Sequence, residues 1–192
     1  GFTHSGSQDE WDYGLPTAAP ITTCISGVNC WNTDLDNTYN ASSNQDLISP
    51  NINLAGLNAP IRLNWAMRYH IESASFDHAW IEAREVGNPS NAVRVFDWQD
   101  ATMNNTVGNP SVTIAESAGW GQHSADISAL AGLNIELVFH LDSDTTVQLG
   151  GLAIDDVSVT GCLPCTITCP TNVVVNNDLN QCGADVNYTA VL

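Results

Sequence analysis

The strictest pattern in the chain is an alternation of apolar and polar side chains between residues 61 and 72. Successive side chains of a β-strand point to opposite faces, so this period of two predicts a strand with one face in a core. The even positions carry polar residues, apart from a neutral alanine at 66. The apolar odd positions are Ile61, Leu63, Trp65, Met67, Tyr69 and Ile71.

Shorter strands are predicted over 77–84, 93–98, 112–115, 135–142 and from the glycines at 150–151 to 159, with turn signals such as Gly-Asn-Pro-Ser at 87–90. One helical turn near 128–132 is the exception, and no amphipathic helix is evident. Many short strands with frequent turns favour an all-β fold, a two-sheet antiparallel β-sandwich.

The charge balance excludes several classes of partner. The chain has 21 acidic residues against four arginines and no lysine, a formal net charge of −17. Nucleic-acid binding depends on cations that neutralise phosphates, so nucleic acid is excluded, and anionic membrane surfaces with it. No apolar run is long enough to span a membrane. Such a charge suits a secreted or cell-surface protein in salty, calcium-containing water, where cations screen the carboxylates.

Six cysteines indicate an oxidising compartment and predict disulfides. Cys24 and Cys30 bracket a short loop and are predicted to pair with each other. The other four allow three pairings that the sequence does not distinguish. They are Cys162, Cys165, Cys169 and Cys182. A zinc site on the first three of these is the less favoured alternative, because no histidine lies nearby.

Two adjacent carboxylates, Asp155 and Asp156, lie within the last predicted strand of the sandwich. Neighbouring strand residues point to opposite faces, so one of the two is expected to face inward. An unpaired buried charge is costly, and the arginines all lie far upstream. A bound cation is therefore an attractive partner.

Several segments resemble MAM-like or cleaved-adhesin domains, as found in secreted proteins of Bacteroidetes. The C-terminal match comprises Trp120, 123–132, Val138-Phe139, Ser143-Asp144 and Ile154–Val157. Segments at 11–16, 30–39 and 46–50 are similar to the opening of the same domains. The resemblance implies a jelly-roll β-sandwich over residues 1–162, without enzymatic activity of its own.

After Gly161 the composition changes. Residues 163–192 are similar to the beginning of a HYR domain, an immunoglobulin-like adhesion module. This length is about a third of an Ig-like sandwich, so we expect a truncated, partial Ig-like segment at the C-terminus. Modules of this type usually follow one another, which implies further domains of the same polypeptide.

Acidic side chains in three segments have the chemistry of calcium ligands. Calcium takes six to eight oxygens from carboxylates, carbonyls and water. In jelly rolls of this kind the first and last strands are neighbours, so the acids at the two ends are expected to converge. The predicted ligands of a structural calcium are Asp12, Asp34, Asp155 and Asp156. The alternative is that these acids cap turns and face solvent.

All four arginines lie between residues 62 and 94, on three predicted strands. If those strands are sheet neighbours, one face is polar, aromatic and less negative than the rest of the surface. It would resemble the platform on which lectin-like jelly rolls bind sugars. The predicted ligand-binding residues are Arg62, Arg68, Trp80, Arg94 and Trp98. The alternative is cross-strand pairing of arginines with glutamates on an ordinary solvent face.

No protease, hydrolase or nucleotide-binding motif is found in the sequence. We expect a non-catalytic, calcium-stabilised binding or adhesion module of a larger secreted or cell-surface bacterial protein. Its ligand would be an extracellular glycan or a surface protein. The alternatives are an accessory domain of a secreted protease, serving stability or substrate docking, and a structural spacer of a surface adhesin or filament.

Overall fold

The computed structural model describes residues 1–98, 119–164, 175–176, 179–180 and 182. The chain divides into two compact units, Gly1–Cys162 and Leu163–Leu192. The strand predicted at 112–115 and nearly all of the predicted HYR-like segment lie outside the described residues, so both stay predictions. The sheets and sites belong to the first unit.

The first unit consists of two antiparallel sheets, and the predicted β-sandwich is confirmed. Its strands are β1 (Thr3–Ser7), β2 (Asp12–Gly14), β3 (Cys30–Asn32), β4 (Asn44–Ile48), β5 (Ile52–Asn53), β6 (Asn58–His70), β7 (His78–Glu85), β8 (Asn88–Asp97), β9 (Gly121–Asp126), β10 (Asn134–Asp142) and β11 (Gly151–Cys162). Sheet 1 has the order β1-β4-β10-β7-β8, with β5 beside β10. Sheet 2 has the order β2-β3-β11-β6-β9.

The core lies between the sheets and is built from the alternations visible in the sequence. In β6 the odd positions from 61 to 69 are at most 2% exposed, whereas Arg62, Asn64 and Arg68 are only half-buried on the outer face. In β10 the inward side chains Ile135, Leu137, Phe139 and Leu141 are fully buried. The predicted helical turn is a short 3-10 helix at Ser128–Leu130.

Strands that follow one another in sequence do not always share a sheet. Strand β6 belongs to sheet 2 and β7 to sheet 1, so the connection at 71–77 crosses from one sheet to the other. By contrast β7 and β8 form a hairpin in sheet 1, joined by a turn at 86–87 in which Gly87 has a φ of 81°. A φ in that region suits glycine, which lacks a Cβ atom.

Cysteine pairing follows the prediction in part. Cys24 and Cys30 form the predicted disulfide. Cys162 and Cys182 are exposed free thiols, so the expectation of a disulfide at every cysteine is wrong for these two. Cys165 and Cys169 lie outside the described residues.

Among the residues that the structure describes, no helix is long and apolar enough to cross a membrane.

His123 lies in the core on β9, where the sequence alone shows only a polar residue. Its ring stacks on Trp65 of β6, with the ring centroids 5.1 Å apart and the planes 19° from parallel. The side chain is 4% exposed, and burial lowers the pKa of His123 to about 4.

Protonation of His123 is expected to destabilise the fold in mild acid. The pKa is about 4 in the folded state and about 6.5 in an unfolded chain, so the unfolded state binds more protons between these values. As the pH falls through this window, the free energy of unfolding should drop by at most about 1.4 kcal/mol per pH unit from this group. Above about pH 6.5 the contribution is fully present.

Urea unfolding of the wild type and of His123→Phe at about pH 7 and about pH 4.5 measures the effect. The carboxylates titrate in both proteins, so their contribution cancels in the comparison. The variant should lose less stability on acidification, and equal losses would contradict the assignment.

Candidate functional site

The four predicted metal ligands do not converge. Asp12 and Asp34 line one open cleft of about 730 Å³, together with Glu10 and Asp36. Asp155 and Asp156 line a different cleft beside Tyr13 and Trp31. The expectation that the first and last strands are neighbours is wrong, because β1 belongs to sheet 1 and β3 separates β2 from β11 in sheet 2.

Neither carboxylate of the 155–156 pair is buried, which corrects the expectation of an inward-facing charge. A β-bulge in β11 shifts its register with β6 between Asp155 and Ser158, and Asp156 has a φ of 49°. An extra bulge residue breaks the strict alternation of faces. The carboxylates instead accept hydrogen bonds from Ser26, at 3.2 Å from its N–H to Asp155 and 2.6 Å from its hydroxyl to Asp156.

The cleft around Asp12 and Asp34 concentrates negative charge. Burial raises the pKa of Glu10, and the nearby carboxylates of Asp34 and Asp36 raise it further. Hydrogen bonds from Asn40 partly oppose this rise in pKa, and the Oε2 atom of Glu10 is buried without a partner at normal hydrogen-bond geometry. The Oδ1 of Asp34 accepts from the N–H groups of Asp36 and Asn37, each at 3.0 Å, so Asp34 also caps its own loop. Glu10, Asp12, Asp34 and Asp36 together form the acidic cleft.

The structure brings together a second acidic cluster that the sequence prediction missed. Carboxylate oxygens of Glu72, Asp77 and Asp144 lie within 4.8 Å of one another. Asp77 is fully buried and accepts hydrogen bonds from the Tyr39 hydroxyl and the N–H of Asp144. Partial burial and the charges of Asp77 and Asp144 raise the pKa of Glu72. The spacing would let one cation contact all three carboxylates.

The predicted sugar-binding residues do not share a face. Arg62 and Arg68 lie on β6 in sheet 2, whereas Trp80, Arg94 and Trp98 lie on or just after β7 and β8 in sheet 1. Parity within β6 and β7 agrees with the structure, but a register shift between Arg94 and Phe96 in β8 leaves Arg94 on the outer face and turns Phe96 into the core. The single platform is wrong because the chain changes sheets between β6 and β7. The outer faces of two packed sheets point in opposite directions.

On sheet 1 the two tryptophans have no free ring face. Trp98 is 6% exposed, packs on Tyr69 and donates from Nε1 to the carbonyl of Glu72 at 2.7 Å. Trp80 stacks on His140 with centroids 4.5 Å apart, and the Arg94 guanidinium lies 4.1 Å from the Trp80 ring centre. Since β7 lies between β10 and β8, these neighbours cover opposite faces of the Trp80 ring.

The arginines of sheet 1 form ion pairs with acidic side chains. Arg94 forms ion pairs with Glu82 at 3.2 Å and Asp97 at 2.8 Å. Arg84 pairs with Glu136 at 2.7 Å. The alternative stated for the arginines, cross-strand pairing with glutamates on a solvent face, therefore describes Arg84 and Arg94.

A loop over residues 15–29 crosses the outer face of sheet 2. Its Ser26 contacts Asp155 and Asp156 of β11, and its Thr23 carbonyl accepts from the Trp120 indole at 2.8 Å, just before β9. Strand β6 lies between β11 and β9, so the loop must pass over β6. Register places the crossing near residues 66–67, which explains why Ala66 is fully buried although it lies on the outer side.

Beside this crossing lies a groove of about 650 Å³. Asn64 and Ala66 of β6 pair with Ser124 and Gln122 of β9, so these four side chains share the outer face. The groove is lined by Asn64, Trp65, Ala66, Gln122, His123, Ser124 and Asp156. Two amides, a hydroxyl and a carboxylate converge there, which is a set able to bind the hydroxyl groups of a polar ligand. This cavity is called the sheet 2 groove.

The sequence contained part of the signal for the sheet 2 groove. The alternation in β6 already placed Asn64 on one face with Arg62 and Arg68. Gln122 and Ser124 alternate with His123 and Ala125 in the same way. This strand has only six residues and follows a polar segment, so its alternation is a weak signal. The pairing of β6 with β9 was needed to bring the two rows together.

Comparison with known proteins gives one curated relative. The chain is 27% identical over 157 residues to Bacillopeptidase F of Bacillus subtilis (strain 168), a match that covers 82% of this chain. The chain spans 10% of the length of that relative. No protein-family profile matches the chain.

Solved structures with a similar chain course include a cleaved adhesin domain of Lys-gingipain from Porphyromonas gingivalis, 16% identical over 83% of this chain and 91% of that one, with a TM-score of 0.48. SGBP-B from a xyloglucan utilization locus of Bacteroides uniformis is 13% identical over 84% and 47% of the two chains, with a TM-score of 0.47. A CBM22-1 xylan-binding domain from Paenibacillus barcinonensis is 12% identical over 86% and 88%, with a TM-score of 0.42.

Ser26→Ala is expected to loosen the loop at 15–29. The substitution removes the hydroxyl that donates to Asp156 at 2.6 Å and keeps the backbone. Because the bond is exposed, amide hydrogen exchange in the loop should accelerate only about two- to fivefold. Ser90→Ala, on β8 of the other sheet, is the control. An unchanged exchange rate at 15–29 would show that the Ser26 hydroxyl does not hold the loop.

Proposed function

We propose that this chain is a non-catalytic binding module of a larger extracellular bacterial protein, and that its ligand is an extracellular glycan. The observation that carries the proposal is the sheet 2 groove, a cavity lined by residues of the strands β6, β9 and β11. Side chains held on strands keep their geometry before a ligand arrives, which reduces the entropy lost on binding.

The lining of the groove supports a saccharide as ligand. Asn64 and Gln122 each offer an amide donor and acceptor, Ser124 a hydroxyl and Asp156 an acceptor. A sugar presents hydroxyl groups that both donate and accept, so a mixed set of this kind matches it. Trp80 and Trp98, predicted to stack on sugars, are left out of the proposed site because neighbouring side chains occupy their faces.

Binding of the folded domain to a glycan array, followed by titration of the best ligand, tests the proposal. Asn64→Ala and Gln122→Ala should each weaken binding about five- to tenfold, as loss of a hydrogen bond to ligand predicts. Asn134→Ala, an exposed amide on β10 of sheet 1, is the matched control and should bind as the wild type does. Thermal unfolding checks that all three variants fold. Absence of binding to any glycan would reject the proposal.

A second candidate is an accessory domain of a secreted protease, for stability or substrate docking. Similarity to a tenth of Bacillopeptidase F, a protein named as a peptidase, favours it. A domain of this kind would bind denatured protein substrates in the groove rather than glycans. The same Asn64→Ala and Gln122→Ala variants, titrated with unfolded casein, separate the two functions.

Calcium is a further part of the proposal, at the acidic cleft. The donor set fits the ion, because four carboxylates face one cavity and Asp34 and Asp36 raise the pKa of Glu10. A divalent cation would offset this repulsion and supply a partner for the buried Glu10 oxygen. Asp155 and Asp156, which hydrogen-bond to Ser26, are not included.

Calcium should raise the melting temperature relative to chelator at equal ionic strength. A ligand at a hundred times its Kd stabilises the folded state by about 2.7 kcal/mol. The double variant Glu10→Gln, Asp36→Asn should lose this shift, whereas Asp142→Asn on β10 should keep it. Loss of the shift in Glu72→Gln instead would move the site to the second acidic cluster. The same melting temperature with calcium and with chelator would reject calcium binding.

A further inference from the structure

A smaller cleft of about 350 Å³ lies beside strands β2, β3 and β11. The pairing of β3 with β11 ends at Ile154, and the cleft opens at the residues of β11 that follow. It is called the aromatic cleft, because its walls combine three aromatic rings with two carboxylates: Phe2, Tyr13, Trp31, Asp155 and Asp156.

Trp31 is the centre of the aromatic wall. Tyr13 is its register partner on β2, and the two ring centroids are 5.4 Å apart. Phe2, just before β1, packs on Trp31 with the centroids 5.8 Å apart. Trp31 is half-buried, whereas Tyr13 is 55% exposed. Unlike Trp80, whose ring is covered on both faces, Tyr13 therefore has ring surface available to a ligand.

The carboxylates of Asp155 and Asp156 have no cationic partner in the part of the chain that the structure describes. Their hydrogen bonds come from Ser26 and, for Asp155, from the N–H of Asp156. The ion pairs of the described arginines and histidines involve other acids, and the chain contains no lysine. Two adjacent negative charges beside aromatic rings therefore make a cavity whose electrostatics favour a cationic ligand.

The chemistry of the walls favours an organic cation over a metal ion. Calcium takes six to eight oxygen ligands, whereas aromatic rings and Val157 supply much of this wall. A cation placed over an aromatic ring is attracted by the negative face of the ring. A guanidinium suits both parts of the cleft, since its plane stacks on a ring and its N–H groups bind carboxylate oxygens in parallel pairs.

The same protein contains this arrangement with the cation in place. On sheet 1 the Arg94 guanidinium lies 4.1 Å from the centre of the Trp80 ring and pairs with the carboxylates of Glu82 and Asp97. The aromatic cleft has the rings and two carboxylates, but no arginine lines it. The net charge of −17 would also attract a basic partner.

We propose that the aromatic cleft binds an arginine side chain of a protein partner, with the guanidinium between the Tyr13 ring and the carboxylates of Asp155 and Asp156. Ligand pockets have volumes of about 300–1,000 Å³. At about 350 Å³ the cleft suits one side chain better than a row of sugar rings. The proposal does not rest on glycan binding, although Asp156 lines both this cleft and the sheet 2 groove.

The test titrates the isotopically labelled chain with three acetylated and amidated tripeptides, Gly-Arg-Gly, Gly-citrulline-Gly and Gly-Lys-Gly, and follows amide and indole signals by NMR. Citrulline has the shape of arginine without its charge. The arginine peptide should shift the signals of Tyr13, Trp31 and residues 155–156, and should bind at least about tenfold more tightly than the citrulline peptide. The lysine peptide should bind about three- to tenfold more weakly than the arginine peptide, because an ammonium lacks the planar fork.

Tyr13→Leu and Asp155→Asn should each weaken binding of the arginine peptide about three- to tenfold. Asparagine keeps an oxygen that can accept from the N–H of Ser26, so the loop stays anchored. The matched controls are Phe76→Leu, which removes a ring of similar exposure, 53%, and Asp142→Asn on β10 of sheet 1. Both should bind within about twofold of the wild type. Thermal unfolding verifies that each variant is folded.

Each contrary result has a distinct meaning. Equal affinities for the arginine and citrulline peptides would overturn recognition of a cation. Equal affinities for the arginine and lysine peptides, with shifts spread over the acidic cleft, would show diffuse charge attraction and overturn the assignment to the aromatic cleft. Choline binding more tightly than the arginine peptide would replace arginine by a quaternary ammonium group. No shift with any peptide, or an equal loss in Tyr13→Leu and Phe76→Leu, would overturn the proposal and leave the sheet 2 groove unaffected.

Discussion

The scarcity of cations is the constraint on which the rest of this structure depends. With four basic residues for 21 acidic ones, most carboxylates cannot be neutralised by ion pairs. Many instead accept hydrogen bonds from backbone N–H groups and hydroxyls, as Asp34 does from Asp36 and Asn37, and as Asp77 does from Tyr39 and Asp144. Hydrogen bonds to a charged group are among the stronger ones, so each acid fixes the loop that satisfies it.

The same constraint explains the difference between the two sheets. Glu82 on sheet 1 is only 8% exposed, and a carboxylate at that depth is unfavourable unless cations accompany it. Arg94 at 3.2 Å and Arg84 at 3.9 Å supply them, and Arg94 also covers the Trp80 ring. Sheet 1 therefore uses its two arginines internally. The outer face of sheet 2 has no described acid in such a position, and its two arginines keep their hydrogen-bonding capacity.

Sequence patterns predicted which side chains of a strand share a face but not which strands pair in a sheet. The alternation in β6 identified its buried side chains and put Arg62, Asn64 and Arg68 on one face, because parity is a local property. Whether β6 and β7 pair depends on the path of the connection at 71–77, and this connection leads to the other sheet.

The bulge at Asp155 and Asp156 is a similar case, since one extra residue changes which face a side chain takes without changing the composition of the strand. Trp98 was predicted to share a surface with Arg94, but the register shift between Arg94 and Phe96 reverses the alternation, so that Phe96 and Trp98 both lie in the core.

The groove on sheet 2 depends on a loop that has little regular structure of its own. The loop at 15–29 is held at three places: by Thr17 to the Leu35 carbonyl, by Thr23 to Trp120, and by Ser26 to the two carboxylates of β11. The Cys24–Cys30 disulfide joins its last part covalently to β3, next to β11 in the sheet. Fixing both a loop and its anchor strand lowers the entropy that a ligand would otherwise have to remove. Asp155 and Asp156, which the sequence suggested as calcium ligands, instead anchor the loop through Ser26, and Asp156 lines the cavity beside Asn64 and Gln122.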